Sequence, residues 1–190
     1  MSAGFLERFR ADPPLAGDGV RLRPWRESDL GAVKAAARDP RIPRGTTVPG
    51  KFTANGGLAF IHRQHARLDR GDGVALAIAE PDTDRAVGQL TLLLARQPGS
   101  ATLGYWLVEA ARGRGLATQA VTTATRWAVN EVGLSRIEAF VEPDNGPSMR
   151  VLERAGFMRE GLLRSYLVLE QARSDAVVYS LLPDDITVVR

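Results

Sequence analysis

The chain predicts a mixed α/β (α+β) fold: a mostly antiparallel sheet of six to seven strands flanked by about four helices. The order of periodic segments, β-α-α-β-β-β-α-β-α-β-β, is the first observation behind this. The second is that consecutive strand-like runs are joined by tight turn residues, Pro81-Asp-Thr-Asp84, Pro98-Gly99-Ser100 and Glu170-Gln171, which favour hairpins over crossovers. The third is the lack of any internal repeat, low-complexity segment or linker across 190 residues with 44% hydrophobic content, which predicts one domain over 1–190 with its core at about 20–182.

Taken in order, residues 1–19 read as a lead-in with a short helix around Phe5 to Phe9. Met1 to Pro14 carries charges and prolines where a signal sequence would carry an apolar core. Val20-Arg-Leu-Arg-Pro-Trp25 alternates and predicts the first strand. Ser28 and Asp29 offer N-caps for a helix through Leu30, Val33 and Ala37, which Pro40 stops. Arg41 to Gly50 reads as a loop. A second helix from Ala54 to Leu68 places Leu58, Ile61, His65 and Leu68 at helical spacing. Val74 to Glu80, Ala86 to Arg96 and Ala101 to Val108 are strands, the last of them central. A helix from Arg114 to Val132 lines up Leu116, Ala120, Ala124, Trp127 and Ala128, and ends at the glycine C-cap Gly133. Arg136 to Val141 is a strand, and Asn145 or Gly146 caps a short helix with Pro147 in its first turn. Strands at Met158 to Leu169 and Ala172 to Leu182 close the chain.

Composition narrows the chemistry. With no cysteine, disulfides, thiolate metal sites and a cysteine nucleophile are excluded. No run of about 18 apolar residues is present, so no membrane span is expected. The formal charge of +3 comes from arginines scattered singly among 22 acids, without the basic stripe and interleaved aromatics of a nucleic-acid surface. His62 and His65 lack a third ligand, so they read as surface or core-edge residues and no metal is expected. A cytoplasmic enzyme fits these bounds.

The most informative stretch runs from Leu103 to Gln119. An apolar strand breaks at Glu109 to Arg112, passes Gly113 and Gly115, and enters an amphipathic helix. The first amides of such a helix have no internal partner, its dipole favours negative charge, and glycine admits a ligand to the backbone. Arg112 and Arg114 add charges suited to phosphate oxygens. A pyrophosphate fits this site. The triphosphatase loop needs a lysine, and the two lysines of the chain are Lys34 and Lys51. Gly113-Arg-Gly115-Leu-Ala-Thr118 matches two glycines of the dinucleotide fingerprint, with Glu138 about 20 residues on, but the third glycine is missing and the motif lies late in the chain.

Arg112-Gly-Arg-Gly115-Leu-Ala117, directly after Gly104-Tyr-Trp-Leu, resembles the Gln/Arg-x-x-Gly-x-Gly/Ala signature of the GNAT acetyltransferase superfamily. Asn145-Gly-Pro-Ser148 followed by Gly156-Phe157 resembles that family's second element. Over about Val20 to Leu182 the chain looks most like the RimJ/RimL-type branch, the ribosomal-protein N-terminal acetyltransferases. The resemblance implies a splayed central strand pair, acetyl-CoA (coenzyme A) as co-substrate, and transfer of acetyl to a primary amine: a protein N-terminus or a small molecule.

It further implies that pantetheine bonds the backbone at Trp106, Leu107 and Val108. Gly113, Arg114, Gly115, Leu116, Ala117 and Thr118 would hold the pyrophosphate with help from Arg112, Asn145 would bond the pantetheine arm, and Arg154 would reach the nucleotide. Ser148 is the expected catalytic residue, protonating the leaving thiolate; its structural alternative is a helix cap. The tyrosine that many relatives carry four residues later is Leu152 here. Phe140 and Thr102 stand where relatives carry acids, which leaves Glu138 as the candidate base, with an ion-paired surface carboxylate as its alternative. Tyr105 and Trp106 read as core rather than stacking groups, and Tyr166 as a packed aromatic or part of an acceptor pocket. Without cysteine, direct attack in a ternary complex is expected. A homodimer is also expected. Competing readings are a catalytically silent CoA-binding module and an NAD-binding oxidoreductase.

Overall fold

The computed structural model describes residues 15–17, 19–169 and 172–188. Its centre is one eight-stranded sheet in the order β1-β2-β3-β4-β5-β6-β8-β7. The strands are β1 (Leu15–Gly17), β2 (Val20–Arg23), β3 (Gly73–Ala79), β4 (Ala86–Leu94), β5 (Ser100–Leu107), β6 (Arg136–Val141), β7 (Met158–Leu169) and β8 (Ala172–Leu181). Among the described residues six α-helices accompany them: α1 (Leu30–Ala36), α2 (Ile42–Gly45), α3 (Ala54–Asp69), α4 (Leu116–Trp127), α5 (Gly146–Arg154) and α6 (Pro183–Val188). The mixed, largely antiparallel class is as expected, and three elements enlarge the count, the closing helix α6 among them. Residues 15–17 of the expected lead-in pair with β2 as an edge strand, Leu15 opposite Leu22. Ile42–Gly45 winds one helical turn inside the expected loop. The helix expected around Phe5 to Phe9 and the turn at Glu170-Gln171 fall outside the described residues.

Packing explains most of these elements. β3 is buried along its whole length, because β2 and β4 flank it and α3 packs on it. α3 is capped by Thr53, whose side chain accepts from the Gly56 amide at 3.0 Å. Its buried stripe is Gly57, Phe60, Ile61 and Gln64, a rotation away from the expected stripe, since Leu58 and His65 stay outside it. Asp29 does not serve as a side-chain helix cap. It is buried and accepts two bonds from the Arg23 guanidinium, at 2.8 and 2.9 Å, and one from the Arg26 amide. That ion pair is forked and hydrogen-bonded on both sides, as a buried pair must be to offset its desolvation.

α4 buries Leu116, Ala120, Val121, Ala124 and Thr125, then widens into a π turn over Ala128–Val132 that ends at Gly133. Leu134 closes it by donating its amide to the Ala128 carbonyl at 2.9 Å.

The central strand pair positions the site. β5 and β6 run parallel and pair only at Ser100–Arg136, Ala101–Ile137 and Thr102–Glu138. β5 continues to Leu107 against β4, and β6 continues to Val141 against β8. Beyond Thr102 and Glu138 the two therefore diverge, leaving a gap in the sheet. The splay is present.

Candidate active site

The gap has β5 as one wall and β6 as the other. In an antiparallel ladder, alternate residues turn their backbone groups to opposite neighbours. The Val108 amide donates to the Val87 carbonyl at 2.9 Å, and the Trp106 carbonyl lies against Gly88. Trp106 and Val108 thus face β4, and of the three expected backbone positions Leu107 is the one that alternation turns to the gap. Its carbonyl accepts from Arg112 Nε at 3.1 Å and Nη2 at 2.9 Å.

At the mouth of the gap the chain turns through Gly113 and Gly115 into α4. Their φ angles are 75° and 80°, and a Cβ at either position would meet nothing within 4 Å. Glycine is required here by backbone conformation, while the space above the turn is open for a ligand. Gly115 is the N-cap of α4 and makes no side-chain cap bond. The half-buried Ala117 and Thr118 and the buried Leu116 form its first turn, with amides available for an anion. The residues present fit a pyrophosphate.

Both flanking arginines have carboxylate partners. Arg112 reaches Asp39 at 2.6 Å, and Arg114 reaches Glu80 at 2.6 Å. Burial pushes the Asp39 carboxyl up, but Arg112 and the amides of Arg41 and Ile42 outweigh it and hold the group below its ordinary value. At Glu80 the Arg114 bond dominates over burial, with Thr83 and Arg85 adding to it, and the carboxyl is again held low. Asp39 and Glu80 were not anticipated; the demand of two exposed arginines for counter-charges was their only signal. The α2 segment is also tied to the opposite wall, through Arg41–Asp144 at 2.9 Å and through Arg44–Glu142. In three of these pairs a largely buried carboxylate, Asp39, Glu80 or Glu142, holds a more exposed arginine, and only Arg41–Asp144 is a surface pair, worth about 1 kcal/mol or less.

α5 brings Asn145 and Ser148 to the gap. Asn145 is the N-cap: its Oδ1 accepts from the Ser148 amide at 3.3 Å. Ser148 is therefore not the cap. Its Oγ lies 2.8 Å from the Tyr105 hydroxyl, which also donates to the Ser148 carbonyl at 3.1 Å. Burial raises the Tyr105 phenol to about 12, with the Ser148 bond opposing. Tyr105, expected in the core, thus sends its hydroxyl across to α5. Strand alternation was the available signal, since it sets Tyr105 on the face opposite Trp106. Trp106 is core, 6.0 Å from Trp25. Leu152 is buried, and Arg154 is exposed in the last turn, roughly 9 Å along the helix from Ser148.

Glu138 stands on the last paired rung of β6 and accepts from Arg136 Nε at 2.8 Å. Arg136 also binds Glu160, whose carboxyl it holds low together with Ser180. Two residues along, Phe140 stacks on the half-exposed Tyr166 at 4.7 Å. His62 pairs with Glu27 at 3.1 Å and His65 meets the Trp25 carbonyl at 2.7 Å, on the outer face of α3. Among the described residues no group of three or more His, Cys, Asp or Glu is placed to hold a metal, and no helix is long and apolar enough to cross a membrane. A cavity of about 620 Å³ lies between α1, the β3–β4 turn and Val108 to Ala111. On its wall Arg23 pairs with both Asp29 and Asp84, and neither Tyr105 nor Ser148 lines it. The chemistry is better placed at the gap.

Known proteins resemble this chain in sequence and fold. A family profile described as acetyltransferase (GNAT) domain matches residues 20–158. The probable N-acetyltransferase YjcK of Bacillus subtilis strain 168 is 35% identical over 137 residues, covering 70% of this chain and 76% of YjcK. The [ribosomal protein uS5]-alanine N-acetyltransferase of Escherichia coli K12 is 28% identical over 132 residues, covering 68% of this chain and 66% of the enzyme. Mycobacterium smegmatis RimJ, solved in complex with CoA-disulfide, superposes with a TM-score of 0.78 at 28% identity, covering 91% of this chain and 87% of RimJ. The open strand pair, the glycine turn and these relatives agree: the chain belongs to the GNAT acetyltransferase family, in its RimJ/RimL-type branch, and uses acetyl-CoA as co-substrate.

Proposed function

We propose that this chain moves an acetyl group from acetyl-CoA to a primary amine, a protein N-terminus or a small-molecule amine, by direct attack in a ternary complex. The observation that carries the reading is the gap beyond Thr102 and Glu138, with Ser148 Oγ on α5 beside one wall and Glu138 on the other. Acetyl-CoA supplies an activated thioester. The amides of Gly113 to Thr118 hold its pyrophosphate, with Arg112 and Arg114 exchanging carboxylate partners for phosphate. Leu107 and Asn145 bond the pantetheine arm, and Arg154 meets the nucleotide end. The N–C bond forms as the amine attacks the carbonyl carbon, and the C–S bond then breaks. Glu138 takes the proton from the amine, directly or through water, and Ser148 gives one to the sulfur, leaving free thiol and an N-acetylated product. With no cysteine in the chain, a covalent acetyl-enzyme has no thiol to form on.

A protein N-terminus as acceptor is in keeping with the relative named for ribosomal protein uS5, and so is a cytoplasmic location. A homodimer is supported by the exposed apolar side chains of β7 at the sheet edge, Met158, Leu162 and Val168 among them. Calorimetric titration with acetyl-CoA, with NADH as comparison, tests the first step; micromolar binding of acetyl-CoA alone is expected. Thiol release with a panel of amines and N-terminal peptides tests the second. Binding without thiol release would turn the chain into a silent CoA-binding module. An acetylated protein after incubation with acetyl-CoA alone would overturn direct attack.

A further inference from the structure

We infer that Tyr105 is a positioning residue for the transfer step: its hydroxyl orients the Ser148 Oγ–H toward the leaving sulfur and stands behind it as the source of the replacement proton. The inference rests on the role of Ser148 proposed above. It comes from how few protons the pair has for the contacts it makes. The Tyr105 hydroxyl is within reach of two Ser148 oxygens, Oγ at 2.8 Å and the carbonyl at 3.1 Å, and carries one proton. If that proton goes to the carbonyl, the serine hydroxyl turns back to the phenol oxygen and is spent there. If it goes to Oγ, the serine proton is released toward the gap. Negative charge on a departing sulfur selects the second arrangement.

The rest of the helix start leaves Ser148 Oγ to this role. Asn145 supplies the cap, and the Ser148 amide is taken by the Asn145 side chain at 3.3 Å and carbonyl at 3.0 Å. Tyr105 sits on β5 three residues beyond the last rung paired with β6, so the bond from its hydroxyl spans the opening and joins the β5 wall to α5. Burial keeps the phenol protonated at neutral pH, at about 12, so it is available as a donor throughout. A lone serine hydroxyl is a poor acid toward a thiolate. With Tyr105 behind it, the S–H bond forms as the Ser148 O–H bond breaks, and the phenol proton restores the serine. The amine's proton, released through the base and solvent, neutralises the resulting phenolate, so no other reactant is required.

The test is a double-mutant cycle on the full chain, read as thiol release from acetyl-CoA with the best amine of the panel or with water. Tyr105→Phe keeps the ring and removes the hydroxyl. It is expected to lower kcat about tenfold while KM for acetyl-CoA stays within about twofold, the split of a group acting only in the transition state. Ser148→Ala is expected to do the same, and the double variant to be no slower than Ser148→Ala alone, because Tyr105 acts through the serine. Calorimetry with acetyl-CoA on each variant confirms an intact binding site. A Tyr105→Phe enzyme at wild-type kcat, or a double variant slowed by the product of the single effects, overturns the role of Tyr105 and leaves the acetyltransferase reading standing. A wild-type chain that neither binds acetyl-CoA nor releases thiol overturns that reading, and this role with it.

Discussion

β3 and β7 belong to one sheet and live in opposite environments. β3 reads Gly-Val-Ala-Leu-Ala-Ile-Ala, and every residue is buried. β7 reads Met-Arg-Glu-Gly-Leu-Leu-Arg-Ser-Tyr-Leu-Val-Leu, and only Leu167 and Leu169 are half-buried. The difference follows from position. β3 has a strand on each side and α3 packed on it, whereas β7 is the outermost strand, with β8 as its one strand partner and only slight contact with α2 and α5. It teaches how the gap is built. The β5 wall belongs to the half of the sheet that packing fixes, and the β6 wall to the half whose far edge is bare. On the reading proposed above, the cofactor side of the site is fixed by the core, and the half with Tyr166 and the exposed β7 side chains is proposed as the place where acceptor choice varies.

The sharpest way to break this comparison is in β3 itself. Ile78 is fully buried between Leu22 and Gly88 on neighbouring strands. Ile78→Ala is expected to cost about 2–5 kcal/mol of unfolding free energy, the lost burial plus the cavity it leaves. Denaturant unfolding measures it. A loss under about 1 kcal/mol would mean that the inner half relaxes readily and is not the rigid one.

Gly115→Glu comes next. Its φ of 80° imposes about 1–2 kcal/mol of strain on a side-chain-bearing residue, and the carboxylate enters the open space above the turn. Acetyl-CoA affinity is expected to fall by at least about a hundredfold, close to 3 kcal/mol, with the fold retained. Calorimetry beside a thermal melt separates the two effects. Ordinary binding by this variant would remove the turn from the phosphate site.

The smaller pH effect probes the same turn. Arg114 holds the Glu80 carboxyl below its ordinary value. A group depressed in the folded state stabilises it above its unfolded value, near pH 4.3, and loses that contribution as pH falls through the folded value. Stability should therefore decline below about pH 4, and Glu80→Gln should flatten that decline. Unfolding curves at a series of pH values check it; an unchanged slope would mean that Glu80 makes no net contribution.

How much was legible follows the same division. β3 announces itself, because an unbroken apolar run fits burial on both faces. The glycine turn and the Asn145–Ser148 helix start were legible as well, since each depends on short-range rules of backbone conformation and capping. Other features depend on partners distant in sequence. Asp29 looked like a cap until Arg23 was folded against it, and Asp39 and Glu80 join the glycine turn through Arg112 and Arg114, arginines far along the chain. Tyr105 looked like core because a strand aromatic is usually core, and only the approach of α5 gives its hydroxyl a partner. The short strand Leu15–Gly17 was missed because three residues carry no period, and pairing with β2 alone defines it.

The smallest expected effect on stability tests whether the bare edge is a surface or an interface. Val168 is 65% exposed on β7, with Met158 at 62% and Leu162 at 48% on the same strand. A residue so exposed in one copy loses little burial on substitution, so Val168→Asp should change the unfolding free energy of the monomer by no more than about 0.5 kcal/mol. If two copies pair across this edge, the same change buries an unpaired charge in the contact and adds repulsion between the copies. Light scattering should then show the mass falling from dimer to monomer while acetyl-CoA binding persists, because β7 is separated from the glycine turn by β8, β6 and the gap. A wild-type chain that already runs as a monomer would remove the dimer, and the exposed apolar residues of β7 would be left to the acceptor.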